Sequence, residues 1–214
     1  MLTLDRISSY IRSYIKDDDG MLGDIYINAI ERGVPVIKPE TRELIKTQLI
    51  MSCPKNVLEI GTAVGYSSLY MSQFLSPEGS ITTIELSEER VEEAKTNIKA
   101  LNKEQVITVC QGDAADVLKT LPTEEYDFAF VDAAKGQYIY YYPEIMRLVK
   151  SGGIIISDNV LQEGEVLESH YLVEKRNRTI HDRMREYLYT LTHDERLDTA
   201  ILSVGDGVAI SVKR

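Results

Sequence analysis

The sequence predicts an open, Rossmann-like α/β fold: a seven-stranded, mostly parallel sheet ending in an antiparallel hairpin, preceded by an N-terminal helical extension. Three observations carry this. From Asn56 onward, short apolar runs alternate with segments of helical character, the pattern of a parallel sheet covered on both faces. The first run, Val57-Leu58-Glu59-Ile60, passes through Gly61-Thr62-Ala63-Val64-Gly65 into Tyr66-Ser67-Ser68-Leu69. Such a strand, glycine turn and helix bring backbone N–H groups beside a nucleotide-like ligand. The chain ends on two apolar runs, Ala200–Val204 and Val208–Val212, around Gly205-Asp206-Gly207. The 214 residues suit one domain (1–214), with 1–52 as the helical extension and 53–214 as the cofactor-binding core.

In the extension, Ile7, Tyr10, Ile11, Tyr14 and Ile15 recur at helical spacing and make one amphipathic face. Asp17-Asp18-Asp19-Gly20 lacks the spaced ligands of a calcium loop and reads as a solvated helix end. Helices are expected over Met21–Arg32 and Glu40–Met51, the latter with Leu44, Ile45, Gln48 and Leu49 at core spacing. The two prolines and the glycine of 33–39 make a loop between them. Strands then follow at 80–84, 106–110, 126–131 and 154–157, the last entered through Gly152-Gly153. The intervening helices run from the N-cap Ser87 to about Leu101, from Asp113 to Leu121 before Pro122, and from about Gln137 to Val149.

A net charge of −10 argues against a protein that coats nucleic acid non-specifically. No apolar run approaches the roughly 20 residues that span a bilayer. The first residues lack a charged segment followed by an apolar one, so no signal peptide is expected. Cys53 and Cys110 sit beside or within apolar segments and read as reduced core thiols of a cytoplasmic enzyme. His170, His181 and His193 are scattered and late, so no Cys/His cluster points to zinc.

The glycine turn reads E-x-G-x-x-x-G, not the dinucleotide G-x-G-x-x-G. Glu59 would repel a pyrophosphate, whereas a ligand carrying an ammonium and a sulfonium suits it. Glu85, at the end of the second strand, can accept hydrogen bonds from both hydroxyls of a ribose. Gln111-Gly112-Asp113-Ala114 follows the third strand, where an adenine edge could be read. With these three markers at successive strand ends, the chain resembles the class I S-adenosylmethionine-dependent methyltransferases. The resemblance implies a methionine moiety near Gly61 and Ser67, on the turn that ends at Gly65. It places the ribose on Glu85 and the adenine near Asp113 and Ala114.

The fourth strand ends in Val131-Asp132-Ala133-Ala134-Lys135-Gly136 and the fifth in Ser157-Asp158-Asn159-Val160. Ligands of open α/β sheets bind beyond the carboxyl ends of the strands, so Asp132, Asp158 and Asn159 should converge there. Two carboxylates and an amide carbonyl are hard oxygen ligands that suit Mg²⁺, and Mn²⁺ also fits. These two motifs are similar to those of the divalent-cation-dependent O-methyltransferases of the catechol and caffeoyl-CoA type. That resemblance makes Asp132, Asp158 and Asn159 the metal ligands, with Asp132 also beside the cofactor, and Lys135 the general base. It puts Ile37 in a loop over the cofactor and makes a homodimer the expected assembly.

Residues 175–185 hold five cations: Lys175, Arg176, Arg178, Arg183 and Arg185. At helical spacing Arg176 would share a face with Arg183, and Arg178 with Arg185. A solvated helix paired to Glu174, Asp182 and Glu186 is the ordinary reading of such a run. Together with 132–138, 158–164 and 204–214, however, it resembles the bacterial tRNA 5-hydroxyuridine methyltransferases, which make 5-methoxyuridine at the wobble position. That implies a tRNA anticodon loop as partner, its phosphates on the basic run, and a base splayed into the pocket near Tyr138, Tyr140, Tyr141 and Tyr142. Glu163 and Glu165 depart from this, because they would repel a phosphate. Two other readings stay open: an O-methyltransferase of small catechols, and a binding protein that keeps the fold without catalysis.

Overall fold

The computed structural model describes residues 4–214; residues 1–3 of the expected extension lie outside the described residues. Three helices come first: α1 (Leu4–Arg12), α2 (Gly20–Glu31) and α3 (Pro39–Ser52). Pro39 opens α3, where its missing N–H and fixed φ are tolerated, and Cys53 ends it in the left-handed region at φ 46°. Cys53 is exposed and Cys110 half-buried, both free, so the expectation of two core thiols fails at Cys53: a helix-end residue followed by a proline turn faces solvent.

Seven strands form one sheet in the order β3-β2-β1-β4-β5-β7-β6. They are β1 (Asn56–Ile60), β2 (Ser80–Glu85), β3 (Ile107–Gln111), β4 (Tyr126–Val131), β5 (Val149–Ser157), β6 (Leu197–Leu202) and β7 (Val208–Lys213). The first five are parallel and β7 joins β5 and β6 antiparallel, as the sequence predicts. Gly152-Gly153 lies within β5 rather than before it, beside the register shift between Tyr126 and Phe128 of β4. The last hairpin also differs from expectation. Its β6 begins at Leu197, and residues 203–207 form a five-residue connection.

The helices α4 (Tyr66–Met71), α5 (Glu88–Ala100), α6 (Ala114–Thr120), α7 (Tyr138–Leu148) and α8 (Arg178–His193) connect the strands. Ser87 caps α5 by accepting from the Arg90 N–H, and Asp113 caps α6 by accepting from the Ala115 N–H. Strand side chains alternate between two cores. Leu58, Ala129, Val131 and Ile155 meet Leu118, Ile145, Met184 and Tyr187 on one face. Val57, Phe128, Phe130 and Ile156 meet Ile45, Leu49, Leu69 and Ile98 on the other.

Two parts of the N-terminal extension differ from simple amphipathic helices. Tyr10 and Tyr14 of the expected apolar face are 66% and 73% exposed. Asp18 is not a solvated helix-end acid: its carboxylate accepts from the Arg42 guanidinium at 2.7 Å and from the Tyr66 hydroxyl. Arg42 also donates to the Lys16 carbonyl at 2.6 Å and lies over the Tyr70 ring. A buried guanidinium with five donors gathers its acceptors from several elements, which no local spacing in the sequence announces.

The order of the sheet reverses between β1 and β4, the point where open α/β sheets bind ligands. In register, Ile60 pairs with Ile84 and Val131, and Val131 with Ser157. The strand ends are therefore level, and the residues just after them share one edge.

Candidate active site

A cavity of about 720 Å³ opens at that edge, within the size range of nucleoside-like ligand sites. It is walled by Pro35, Val36 and Ile37 before α3, by Gly61–Val64 and Ser67 after β1, and by Glu85 and Leu86 after β2. Gly112, Asp113 and Ala114 after β3, then Asp132–Lys135 after β4, Tyr141 of α7 and Asn159 after β5 complete it.

Gly61 has φ 105°, and a Cβ there would lie 2.0 Å from the Asp132 carbonyl oxygen. No side chain fits between the two loops, so the glycine lets the β1 and β4 ends close on each other. Gly65 serves a different contact: at φ 82° it leads α4 and rests against Ala94 of α5, between Val64 and Tyr66 of the cavity lining. Gly65 itself is not among the residues that line the cavity. Glu59 also lies beneath the wall rather than in it. It is fully buried, accepts from the Thr83 hydroxyl at 2.6 Å and from the Ser68 hydroxyl, and leaves Oε1 without a partner. Burial pushes its carboxyl up to about 7, against the hydrogen bonds from Ser67, Ser68 and Thr83. Glu85 stands in the wall, holding the turns on either side: Oε2 accepts from the Ala63 N–H and Oε1 from the Ser87 N–H, both at 2.9 Å. Each carboxylate oxygen has a further lone pair for a ligand hydroxyl.

At the β4 and β5 ends, Asn159 Nδ2 donates to Asp132 Oδ1 at 3.0 Å. The Asn159 N–H donates to Asp158 Oδ1 at 2.8 Å, and the Thr41 hydroxyl lies 3.5 Å from that same oxygen. Asn159 sits in the left-handed region at φ 59°, a strain that non-glycine residues adopt mostly as Asn or Asp. Burial pushes both carboxyls above the usual carboxylate range; Lys135 and Asn159 counter this at Asp132, while the Asp132 charge adds to it at Asp158. Two adjacent acids, Asp158 buried and Asp132 half-buried, with an amide beside them are the donor chemistry of a hard divalent cation. A cation there would remove the cost of ionising both. The residues present fit Mg²⁺ or Mn²⁺, with the Asn159 amide turned to offer its oxygen.

Lys135 Nζ pairs with Asp206 Oδ2 at 3.2 Å, and Asp206 Oδ1 accepts from the Glu163 N–H. Asp206 is buried in the β6–β7 connection. The sequence reading took Gly205-Asp206-Gly207 only as a turn, and the 71-residue separation from Lys135 left no signal for the pair. Thr41 and Tyr138 were also missed in these roles. The Tyr138 hydroxyl accepts from the Ala133 N–H and reaches the Val131 and Asp158 carbonyls, each at 3.2 Å, which ties the β4 and β5 ends together. It is wholly buried and no stacking face; Tyr140 alone of the four tyrosines is exposed, and Tyr141 lines the cavity.

Three arginines of the basic run are engaged by backbone carbonyls outside it. Lys175 and Arg176 precede α8, so Arg176 does not share a helical face with Arg183. Arg176 is exposed and pairs with Glu174 at 2.8 Å. Arg178 donates to the Val173 and Tyr171 carbonyls, Arg185 to the Glu168 carbonyl, and Arg183 to the Gly136 carbonyl beside Lys135. Two of the three histidines read as scattered, His170 and His181, are brought together by the fold.

A level row of strand-end acids around a nucleoside-sized cavity, with an oxygen-donor cluster at its rim, defines a cofactor-binding α/β methyltransferase. Residues 31–214 match the O-methyltransferase family. A caffeoyl-CoA O-methyltransferase of Stellaria longipes is 34% identical over 178 residues, covering 79% of this chain and 73% of that protein. A catechol O-methyltransferase of Niastella koreensis is 29% identical over 171 residues, covering 78% and 77%. The crystal structure of an O-methyltransferase from Bacillus cereus in complex with SAH superposes with a TM-score of 0.86 at 25% identity, over 99% of this chain and all of that one. The chain belongs to this family: it is an S-adenosylmethionine-dependent O-methyltransferase of the caffeoyl-CoA and catechol type.

Proposed function

We propose that the chain methylates one oxygen of a vicinal oxygen pair on a small aromatic acceptor, with Mg²⁺ as the working cation. The observation that carries this is the placement of Asp132 and Asn159 beside Lys135 in the wall of the cofactor cavity, with Asp158 buried directly behind Asn159. Bound there, the cation would lower the pKa of the acceptor hydroxyl and fix both oxygens. S-adenosylmethionine supplies the methyl on its sulfonium. Ser67 and the Gly61 turn hold the methionine end, Glu85 the ribose, and Asp113, Ala114 and Tyr141 the adenine. In transfer the S–CH₃ bond breaks as the O–CH₃ bond forms, and the hydroxyl proton passes to Lys135 Nζ, whose ammonium must first have released a proton from its ion pair with Asp206 to solvent. Asp206 then holds the ammonium. Lys135 lines both the cofactor cavity and a second depression formed with Gln162, Glu163, Asn177 and Ile180, so it stands between donor and acceptor.

A second reading keeps the reaction and changes the acceptor to 5-hydroxyuridine in a tRNA anticodon, whose O5 and O4 form the same chelate. It is supported by exposed Tyr140 with Arg183 4.9 Å over its ring, a stacking platform next to the Gly136 loop. The small-acceptor reading is preferred because the guanidinia of the run are engaged locally and Glu163 lines the acceptor side. Labelled methyl transfer to a simple catechol and to 5-hydroxyuridine-containing tRNA, with Mg²⁺ and with chelator, tests both. Label on catechol alone supports the first reading and label on tRNA alone the second. Transfer untouched by chelator, or by D158A, would sink the metal roles in either.

A further inference from the structure

His170 lies in the segment that follows the 3₁₀ turn Gln162–Leu167, and His181 and Asp182 lie in the first half of α8. The two histidines are eleven positions apart, yet both turn Nδ1 onto one oxygen. His170 Nδ1 is 2.8 Å and His181 Nδ1 3.0 Å from Asp182 Oδ1. The ligand-capable atoms of the three residues lie within 4.8 Å of one another.

His181 is 1% exposed, and its Nε2 is 3.1 Å from the Glu168 carbonyl. A carbonyl only accepts, so Nε2 carries the hydrogen. That fixes the tautomer. In neutral His181 the Nδ1 lone pair then faces a carboxylate oxygen, a contact between two acceptors that repel at 3.0 Å. A cation between them relieves it, and the cation is either a proton on Nδ1 or a metal ion. A backbone carbonyl that orients an imidazole through its far nitrogen is the usual outer support of a metal-ligating histidine. Bonds of about 2.0–2.1 Å to the metal set neighbouring ligand atoms roughly 3.0–3.4 Å apart, so each imidazole must draw back from Asp182 Oδ1 by a few tenths of an ångström, while the two Nδ1 atoms, within 4.8 Å of each other, settle to the same spacing. His170 and Asp182 are 41% and 53% exposed at their side chains, which leaves an entry path and room for water to complete the shell.

We infer that His170, His181 and Asp182 form a second metal site, for an imidazole-favouring transition ion such as Zn²⁺, separate from the oxygen-donor cluster of Asp132, Asp158 and Asn159. Imidazole nitrogens suit Zn²⁺ and not Mg²⁺, so the two sites take different ions. The ion would clip the segment around His170 onto α8. That helix and its Asn177 cap carry the acceptor-side wall next to Lys135, and Arg183 of α8 holds the Gly136 carbonyl at 3.2 Å. Its role is therefore to order that wall.

The test uses the full chain, stripped of metal and then kept in excess Mg²⁺, titrated with Co²⁺ as a visible-absorbing stand-in and back-titrated with Zn²⁺. One saturable Co²⁺ equivalent is expected, displaced by Zn²⁺ and not by Mg²⁺. It should persist in D158A and weaken by about 10- to 100-fold or more in H170A. His170 is exposed enough for that variant to fold, and D182N gives an independent second one. No saturable site in Mg²⁺, equal binding by wild type, H170A and D182N, or a site lost in D158A and kept in H170A would each overturn the inference. So would ¹⁵N spectra showing His181 Nδ1 protonated in protein that has been offered Zn²⁺.

Discussion

At Lys135 the fold joins two residues 71 positions apart, and the ion pair with Asp206 points Nζ along the cavity rim. If Lys135 takes the acceptor proton, K135M should lower kcat by about 10²–10⁴-fold with little change in the KM for S-adenosylmethionine. D206N should lower kcat less and shift the pH profile, because it acts through the position of Nζ. A D206N profile that superposes on the wild type would remove Asp206 from the mechanism. Glu59 gives a second prediction at this scale, on stability. An exposed carboxyl of its kind titrates near about 4.3, and burial moves Glu59 to about 7. Between those values the folded chain binds more protons than the unfolded one, so stability falls as pH rises through the window. The upper limit is on the order of 4 kcal/mol. E59Q in the cofactor-free protein should flatten thermal stability between about pH 4 and about pH 7; an unchanged slope would assign it to other groups.

Among the elements, the strand ends and helix caps were legible because their signals are local. Ser87 and Asp113 cap the helices they precede, and the V-D and S-D-N endings fall where β4 and β5 stop. What stayed hidden is the contact made across elements. Thr41 of α3 beneath Asp158, Asp206 against Lys135, and His170 against Asp182 all depend on how distant segments come to lie side by side. Arg42 shows the energetic weight of such a contact. Its side chain, 4% exposed, binds Asp18 and the Lys16 carbonyl, so it fastens the α1–α2 connection onto α3 and α4. Removing it leaves the Asp18 carboxylate and the Tyr66 hydroxyl without their cation. R42A is expected to cost about 3 kcal/mol, a thermal midpoint lower by roughly 6–12 °C for a chain of this size. A shift of a degree or less would mean that solvent replaces the guanidinium without cost.

For the whole molecule, the alternation of strands and helices gave the parallel sheet, and the terminal runs gave the antiparallel edge, because strands covered on both faces read as short continuous apolar runs. The N-terminal extension shows where that logic stops. A helical apolar face demands burial, but the pattern does not say against what. Ile7, Tyr10, Ile11 and Tyr14 present such a face, and within the chain it stays exposed while Arg12 on the same helix reaches Glu40 at 2.9 Å. Ile27 and Ile30 of α2 and Ile50 and Met51 of α3 are exposed as well. Exposed apolar side chains gathered on one helical extension are the kind of surface that another protein covers, and a second copy of the chain is the occupant expected here. Light scattering coupled to size exclusion should then give a dimer mass for the wild type. I11E, a charge on an already exposed position, should give a monomer with its thermal midpoint little changed at low concentration. A wild type that runs as a monomer across all accessible concentrations would reject the second copy.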